Sequence, residues 1–268
     1  MFLGYFAAAL SFYLKGCYYS RYMMACTFSH RHNRSHAVRT ALVLFLCVLA
    51  SAALHGQDAQ PGIFFPEIRE AGAADFSVGI RVLTVPRDIA EEEINRAPSL
   101  DLHAVLGLPL NFNVSGRIVS QYVTNYARGG VSWSHAFGRF RLAVGNDAAY
   151  WFGFFDFEGF DNRMSGWVEY PNISVGYDAG DVRLTTTGEF IYLISQSSFA
   201  GDNEISLKKS TVAGGALTMV IEQPLWHKTQ VYLGVRLTWT NFHYQTWFAF
   251  STFDRRLLFS ELLFGVIL

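Results

Sequence analysis

Between Thr229 and Asn241 apolar and polar residues alternate. Val231, Leu233, Val235, Leu237 and Trp239 fall on one side, and Gln230, Tyr232, Arg236, Thr238 and Thr240 on the other. Asp181–Ile194 repeats the pattern, with Val182, Leu184, Phe190, Tyr192 and Ile194 against Asp181, Arg183, Thr185, Thr187 and Glu189. Phe112–Tyr126 does so again, setting Phe112, Val114, Ile118 and Tyr122 opposite Asn113, Ser115, Arg117, Gln121 and Asn125. Successive side chains of a strand point to opposite faces, so this period of two calls for two-faced strands. From Ala74 onward no helical stripe persists and no apolar run reaches the length of a membrane-spanning helix. The chain reads as all-β.

About ten strands are predicted, near 74–86, 100–109, 111–125, 131–137, 139–151, 165–177, 181–195, 209–222, 229–242 and 255–268. Tight connections at Leu108–Asn111, Phe137–Arg139, Tyr177–Asp181 and Gln223–Lys228 alternate with longer ones. The longer ones are Arg87–Ser99, Phe152–Met164, Gln196–Lys208 and His243–Asp254, with Ala127–Gly130 intermediate. Short turns at one end and long loops at the other describe an up-and-down antiparallel meander, and an even strand number brings both termini to the short-turn end. A soluble, lipocalin-like barrel would alternate in the same way, with its apolar face inward. Three features favour a transmembrane barrel instead. Several predicted strands run beyond the roughly 9–11 residues needed for a tilted span. Aromatics such as Tyr150, Trp151, Trp167, Tyr177 and Trp239 gather near strand ends, where interfacial girdles belong. The polar faces hold few charges, in a chain with 16% charged residues against about 25% in average soluble proteins.

With these features the chain resembles Gram-negative outer-membrane β-barrel proteins as a class. The likeness spans the leader and residues 74–268 and rests on pattern rather than a family motif. It implies an outer-membrane location, a lipid environment and assembly by the barrel-assembly machinery through the C-terminal strand. Leu262, Phe264, Val266 and Leu268 keep the alternation there, although such barrels usually end in Phe or Trp and this one ends in Leu.

The first 56 residues read as a leader. Ala41–Leu54 is a short apolar core preceded by Arg31, Arg34 and Arg39 and closed by Ala50, Ser51, Ala52 and Ala53, the layout of a secretory signal peptide. Ahead of it lies a second apolar stretch, Phe2–Leu14. Either this is a short membrane segment or translation begins at Met23 or Met24; the second reading is favoured because it leaves one ordinary leader. Residues 57–73 would form a short periplasmic segment, and 74–268 the barrel. Cys17, Cys26 and Cys47 all lie in the leader, so the exported chain would have no disulfide, thiolate nucleophile or zinc-thiolate site. Five of the 21 basic residues and none of the 22 acidic ones precede Gln57. The remainder holds 16 basic and 22 acidic residues, net −6. With no basic stripe, a nucleic-acid partner is not expected.

Candidate chemistry is sparse. Outer-membrane phospholipases and lipid A deacylases place a His two residues before a Ser-Asn pair; the nearest match, Trp133-Ser134-His135-Ala136, lacks that pair and reads as a strand-end histidine. Omptin proteases carry Asp-x-Asp and Asp-x-His pairs. Here Asp156-Phe157-Glu158 and Asn241-Phe242-His243 stand in their place, and the carboxylate that would orient the histidine is an asparagine. Asp101 and His103 share a face and supply two metal ligands without a third. Asp156, Glu158, Asp161 and Asn162 lack EF-hand spacing. They belong to an aromatic loop that reads as a lid over the barrel mouth. No catalytic residue, cofactor or metal site is therefore expected. A mid-height charge network inside the lumen is: Arg81, Arg117, Asp147, Glu189, Arg236 and Glu261, with Glu261 between Arg236 and Arg81 once the last strand closes on the first. The expected function is a structural barrel or a narrow, small-solute pore, with an outer-membrane enzyme or a loop-based adhesin as alternatives. If the start-site reading holds, deleting residues 1–22 will leave export unchanged in a fractionation assay; lost export would assign the upstream stretch a role.

Overall fold

The structure, a computed structural model, describes residues 62–86, 96–121, 123–157, 160–201, 203–226, 229–246 and 255–268. The leader expected over 1–56 and both candidate start sites lie outside the described residues. Ten strands form a closed antiparallel barrel: β1 (Ala74–Thr84), β2 (Arg96–Gly107), β3 (Phe112–Ser120), β4 (Thr124–Phe137), β5 (Phe140–Phe157), β6 (Phe160–Asp178), β7 (Arg183–Ala200), β8 (Asn203–Trp226), β9 (Thr229–Thr240) and β10 (Leu257–Ile267). Each strand pairs with its sequence neighbours. The circle closes where β10 pairs with β1, from Ser77 opposite Ile267 to Thr84 opposite Ser260. Closure removes the sheet edges, whose unpaired N–H and C=O groups would otherwise be left open.

The alternating faces separate cleanly. On β9 the polar set Gln230, Arg236, Thr238 and Thr240 is buried inside, whereas Leu233 and Trp239 are 60% and 52% exposed outside. Val144, Ile173 and Leu262 stand outward in the same way. An exterior of Leu, Val, Ile and Phe surrounds an interior that holds Arg, Glu, Asp and Thr together with buried apolar residues such as Val119, Trp151, Val168 and Leu193; the apolar exterior suits a wall immersed in hydrocarbon. Trp133, Phe137, Phe140 and Tyr177 ring the short-turn end, with Phe140 and Tyr177 ring centroids 5.0 Å apart; Tyr150 and Trp167, also 5.0 Å apart, mark the other rim. Such girdles fit the two interfaces.

The expected connections differ in three places. Ala127–Gly130 is not a connection but lies within β4, because Gly129 and Gly130 carry no side chain to show the alternation; β3 instead ends at Ser120 and β4 begins at Thr124. The expected long loops at 152–164 and 196–208 are mostly strand. The β5–β6 ladder runs to Phe157 opposite Phe160 and the β7–β8 ladder to Ala200 opposite Asn203, since an antiparallel ladder satisfies its own backbone above the membrane as well as within it. The lid is accordingly elsewhere. The segment following β9 places Phe242, His243, Tyr244 and Gln245 inside the outer mouth, all buried. A closed barrel without edges unfolds slowly in detergent. Unboiled protein should therefore migrate differently from boiled protein on a denaturing gel; identical mobility, with the protein in the soluble periplasmic fraction, would contradict this architecture.

Candidate functional site: the charged lumen

The lumen is filled at three levels. At the short-turn end residues 62–73 fold back into the mouth. Glu222, on β8, accepts three successive backbone N–H bonds: Ile63 and Phe64 donate to Oε1 at 2.8 and 2.9 Å, and Phe65 to Oε2 at 2.9 Å. Ile63 packs with Val105, Val220, Tyr232, Leu263 and Ile267. Arg69 Nε donates to Asp75 at 2.8 Å, and Arg183 Nη1 to Glu67 at 3.2 Å. The wall leaves room for this plug: a side chain at Gly176 would come within 2.6 Å of the Phe65 ring. Nothing in the alternation of the strands announced that residues 62–73 would enter the barrel, because the plug is irregular backbone and its anchor is a carboxylate 157 to 159 residues away.

At mid-height sit the six predicted network residues, with two more. Arg81 pairs with Glu261. The seam register explains this: Glu261 lies opposite Leu83, so Arg81 is its diagonal neighbour on the same face. Arg236 lies directly opposite Glu261 yet turns the other way, pairing with Glu189 and donating to Thr218 Oγ1 at 3.2 Å. Glu261 is thus not shared between Arg236 and Arg81, as expected from strand order; its second neighbour is His243 Nε2 at 3.4 Å. Glu189 instead holds two guanidiniums, because Arg128 on β4 also reaches it at 2.5 Å. Arg128 Nε further donates to Asp147 at 2.7 Å, and its guanidinium lies over the Tyr170 ring at 4.5 Å. Gly130, opposite Asp147, leaves the space that the carboxylate fills. Arg117 donates through Nε to Asp101 at 2.8 Å and covers the plug residue Phe64 at 5.3 Å.

Two members had been missed. Arg128 was hidden by reading Ala127–Gly130 as a connection. Asp101 was weighed only as a metal ligand beside His103, although Arg117 faces it from the next strand. His103 meets Phe64 edge-on instead, and among the described residues no group of three His, Cys, Asp or Glu is placed to hold a metal ion.

At the outer level the segment 241–246 caps the network. His243 is sandwiched between Tyr244 and Phe259 at 5.2 and 4.5 Å, and Tyr244 stacks on Tyr126 at 4.6 Å. Burial holds the His243 imidazole below its usual range against the opposing pull of Glu261, so the cap is seated with this histidine neutral. The sequence had offered Asn241 in place of an orienting carboxylate; the fold supplies Glu261 from another strand. Ser134 and His135 point to opposite sides of the wall. Ser134 is buried and accepts from Asn113 Nδ2 at 3.1 Å, and His135 lies outside between Trp133 and Phe137. Glu158 and the side chains of Asp156 and Asp161 lie outside the described residues. A cavity of about 30 Å³, room for a water or two, remains between network and cap, lined by Arg81, Arg117, Arg128, Arg236, Glu261 and His243 among others.

An apolar outer belt between aromatic girdles, a charged network at the centre of the lumen and an even number of strands closed without an edge decide the setting. The chain is an outer-membrane β-barrel. The barrel is similar to several solved structures. They include neisserial surface protein A (9% identity, TM-score 0.36, covering 74% of this chain and 97% of that one) and the outer membrane protease OmpT from Escherichia coli (8%, 0.41, 72% and 94%). The KdgM porin is another (10%, 0.35, 72% and 97%). No protein-family model and no curated protein matches the chain.

Charges buried in a narrow, water-poor lumen need partners, and removing one partner of such a pair costs about 3–5 kcal/mol, more than replacing both by well-packed neutral groups. Glu261→Gln should therefore destabilise this outer-membrane barrel more than Glu261→Gln combined with Arg81→Met. Urea unfolding in detergent micelles, read as a double-mutant cycle, would show coupling above roughly 1 kcal/mol. Additive effects would contradict the pairing.

Proposed function

We propose that this protein is a structural outer-membrane barrel with a shut lumen, non-enzymatic and non-conducting in its resting form. The observation that carries the reading is the filling of the lumen at three levels, by the Ile63–Phe65 plug, the arginine–carboxylate network and the Phe242–Gln245 cap. Ten strands enclose little more than the eight whose interior side chains fill completely. His243, beside Glu261 of the network, is packed between two rings, and its Glu261 is shared with Arg81. A narrow small-solute pore is the second reading. It is favoured by the plug being held through hydrogen bonds and ion pairs that can be exchanged for water. The outward Leu262 and Phe264 of the last strand, with Leu268 just beyond it, are the surface we assign to the assembly machinery.

Planar-bilayer recording separates the two readings. The full chain should give no steps above baseline, and a variant lacking residues 62–72 should remain silent because the Arg128–Glu189–Arg236 cluster still bars the path. Discrete steps from the deletion variant would transfer the assignment to a pore gated by its N-terminal segment.

A further inference from the structure

The outer wall carries a polar pair where only lipid contacts are expected. Asn146 and Glu169 occupy outward positions of β5 and β6, and Asn146 Nδ2 donates to Glu169 Oε1 at 2.7 Å. Glu169 lies two residues below Trp167 of the upper girdle, on the same face as Ile173 and Val175, which are exposed to lipid. Among the described residues, the outward positions of β3 to β7 between the girdles hold no lysine or arginine. Polar and ionisable groups in such places are costly and are kept for a partner. An amide donates two N–H bonds and offers a carbonyl oxygen, and a carboxylate accepts at two oxygens, so one internal bond leaves both groups with capacity to spare.

The same carboxylate ends a row of registered positions that have little or no side chain. Ala104 pairs with Gly116, Gly116 with Gly129, Gly129 with Ala148, and Ala148 with Glu169. Neither glycine is demanded by the barrel. A Cβ at Gly116 would meet nothing within 4 Å, and one at Gly129 only the Ser115 carbonyl oxygen at 3.8 Å. Glycine weakens a strand and otherwise marks the close approach of another backbone. Here that approach can come only from outside.

We propose that the β2–β6 face is a self-association surface on which a second copy of this chain docks about a two-fold axis. Two-fold docking presents to each wall the groups that it lacks. The spare N–H of Asn146 in one copy donates to the Glu169 carboxylate of the other, and the reverse, closing a four-member amide–carboxylate ring. The Ala–Gly–Gly–Ala row lets the two walls come close, as small residues do between membrane helices, and the contact is isologous, as two-fold symmetry requires. Lipid is the weaker occupant, because acyl chains cannot hydrogen-bond the pair.

The test uses the exported full chain in detergent and in lipid nanodiscs. Its barrel has no cysteine of its own after Cys47. Wild type should be dimeric by sedimentation equilibrium. Asn146→Ala combined with Glu169→Ala, and separately Gly129→Val, should each raise the dimer dissociation constant by roughly tenfold or more while remaining heat-modifiable. Gly129→Val also keeps the test valid if the double variant folds poorly, since its side chain enters open space in the lone barrel. Ala148→Cys should form an intermolecular disulfide, and Leu233→Cys on the far wall should not. A monomeric wild type in both media, dimers indifferent to both variants, or cross-linking at 233 rather than 148 would overturn the proposal, as would lipopolysaccharide retained at this face by a monomer.

Discussion

Backbone pairing at the β1–β10 seam is the constraint from which the rest of this structure follows. A sheet in hydrocarbon cannot leave N–H and C=O groups unpaired, because no water is present to receive them. Closing the meander removes both edges at once. The seam also fixes how far one strand slides along the next. Glu261 is set opposite Leu83, and Arg81 comes within diagonal reach of it. A slip of one residue would turn Arg81 to lipid and Val82 into the lumen.

Closure of ten strands leaves an interior too narrow to be a wide channel and wide enough to need long side chains at its centre. Arginine suits that gap. Its long stem reaches toward the axis, and its planar fork satisfies carboxylates from two strands. Glu189 receives arginines from β4 and β9, which ties strands far apart around the circle. The plug and cap pack against the network below and above. The Glu222 carboxylate gathers three backbone N–H groups that would otherwise be orphaned in the mouth. Phe64 beneath Arg117 joins plug to network, and His243 beside Glu261 joins cap to network.

The outer wall is read by the opposite rule. Its apolar residues require no individual partner, so the Asn146–Glu169 pair and the registered row of Gly116, Gly129 and Ala148 stand out against the Leu, Val and aromatic residues around them. Inside, a charge is ordinary once paired. Outside, it marks a place where the lipid is expected to be displaced.

Much of the barrel was legible because a strand's alternation is local. Each residue reports its face through its immediate neighbours, and so the ten strands, their inward sets and the membership of Arg81, Arg117, Asp147, Glu189, Arg236 and Glu261 could be read along the chain. Arg128 escaped because the glycines beside it are silent in that pattern, and the β5–β6 hairpin above the membrane escaped because successive aromatics blur it. Partner choice was not local. That Arg236 turns to Glu189 rather than to the Glu261 directly opposite, that residues 62–73 enter the mouth, and that segment 241–246 forms the cap all depend on distances across the lumen. Those distances exist only after closure. Wherever the alternation is unbroken, the sequence by itself determined which side of the wall a residue faces, and tertiary structure decided which residue it meets there, because alternation is a property of neighbours in the chain and pairing is a property of the closed circle.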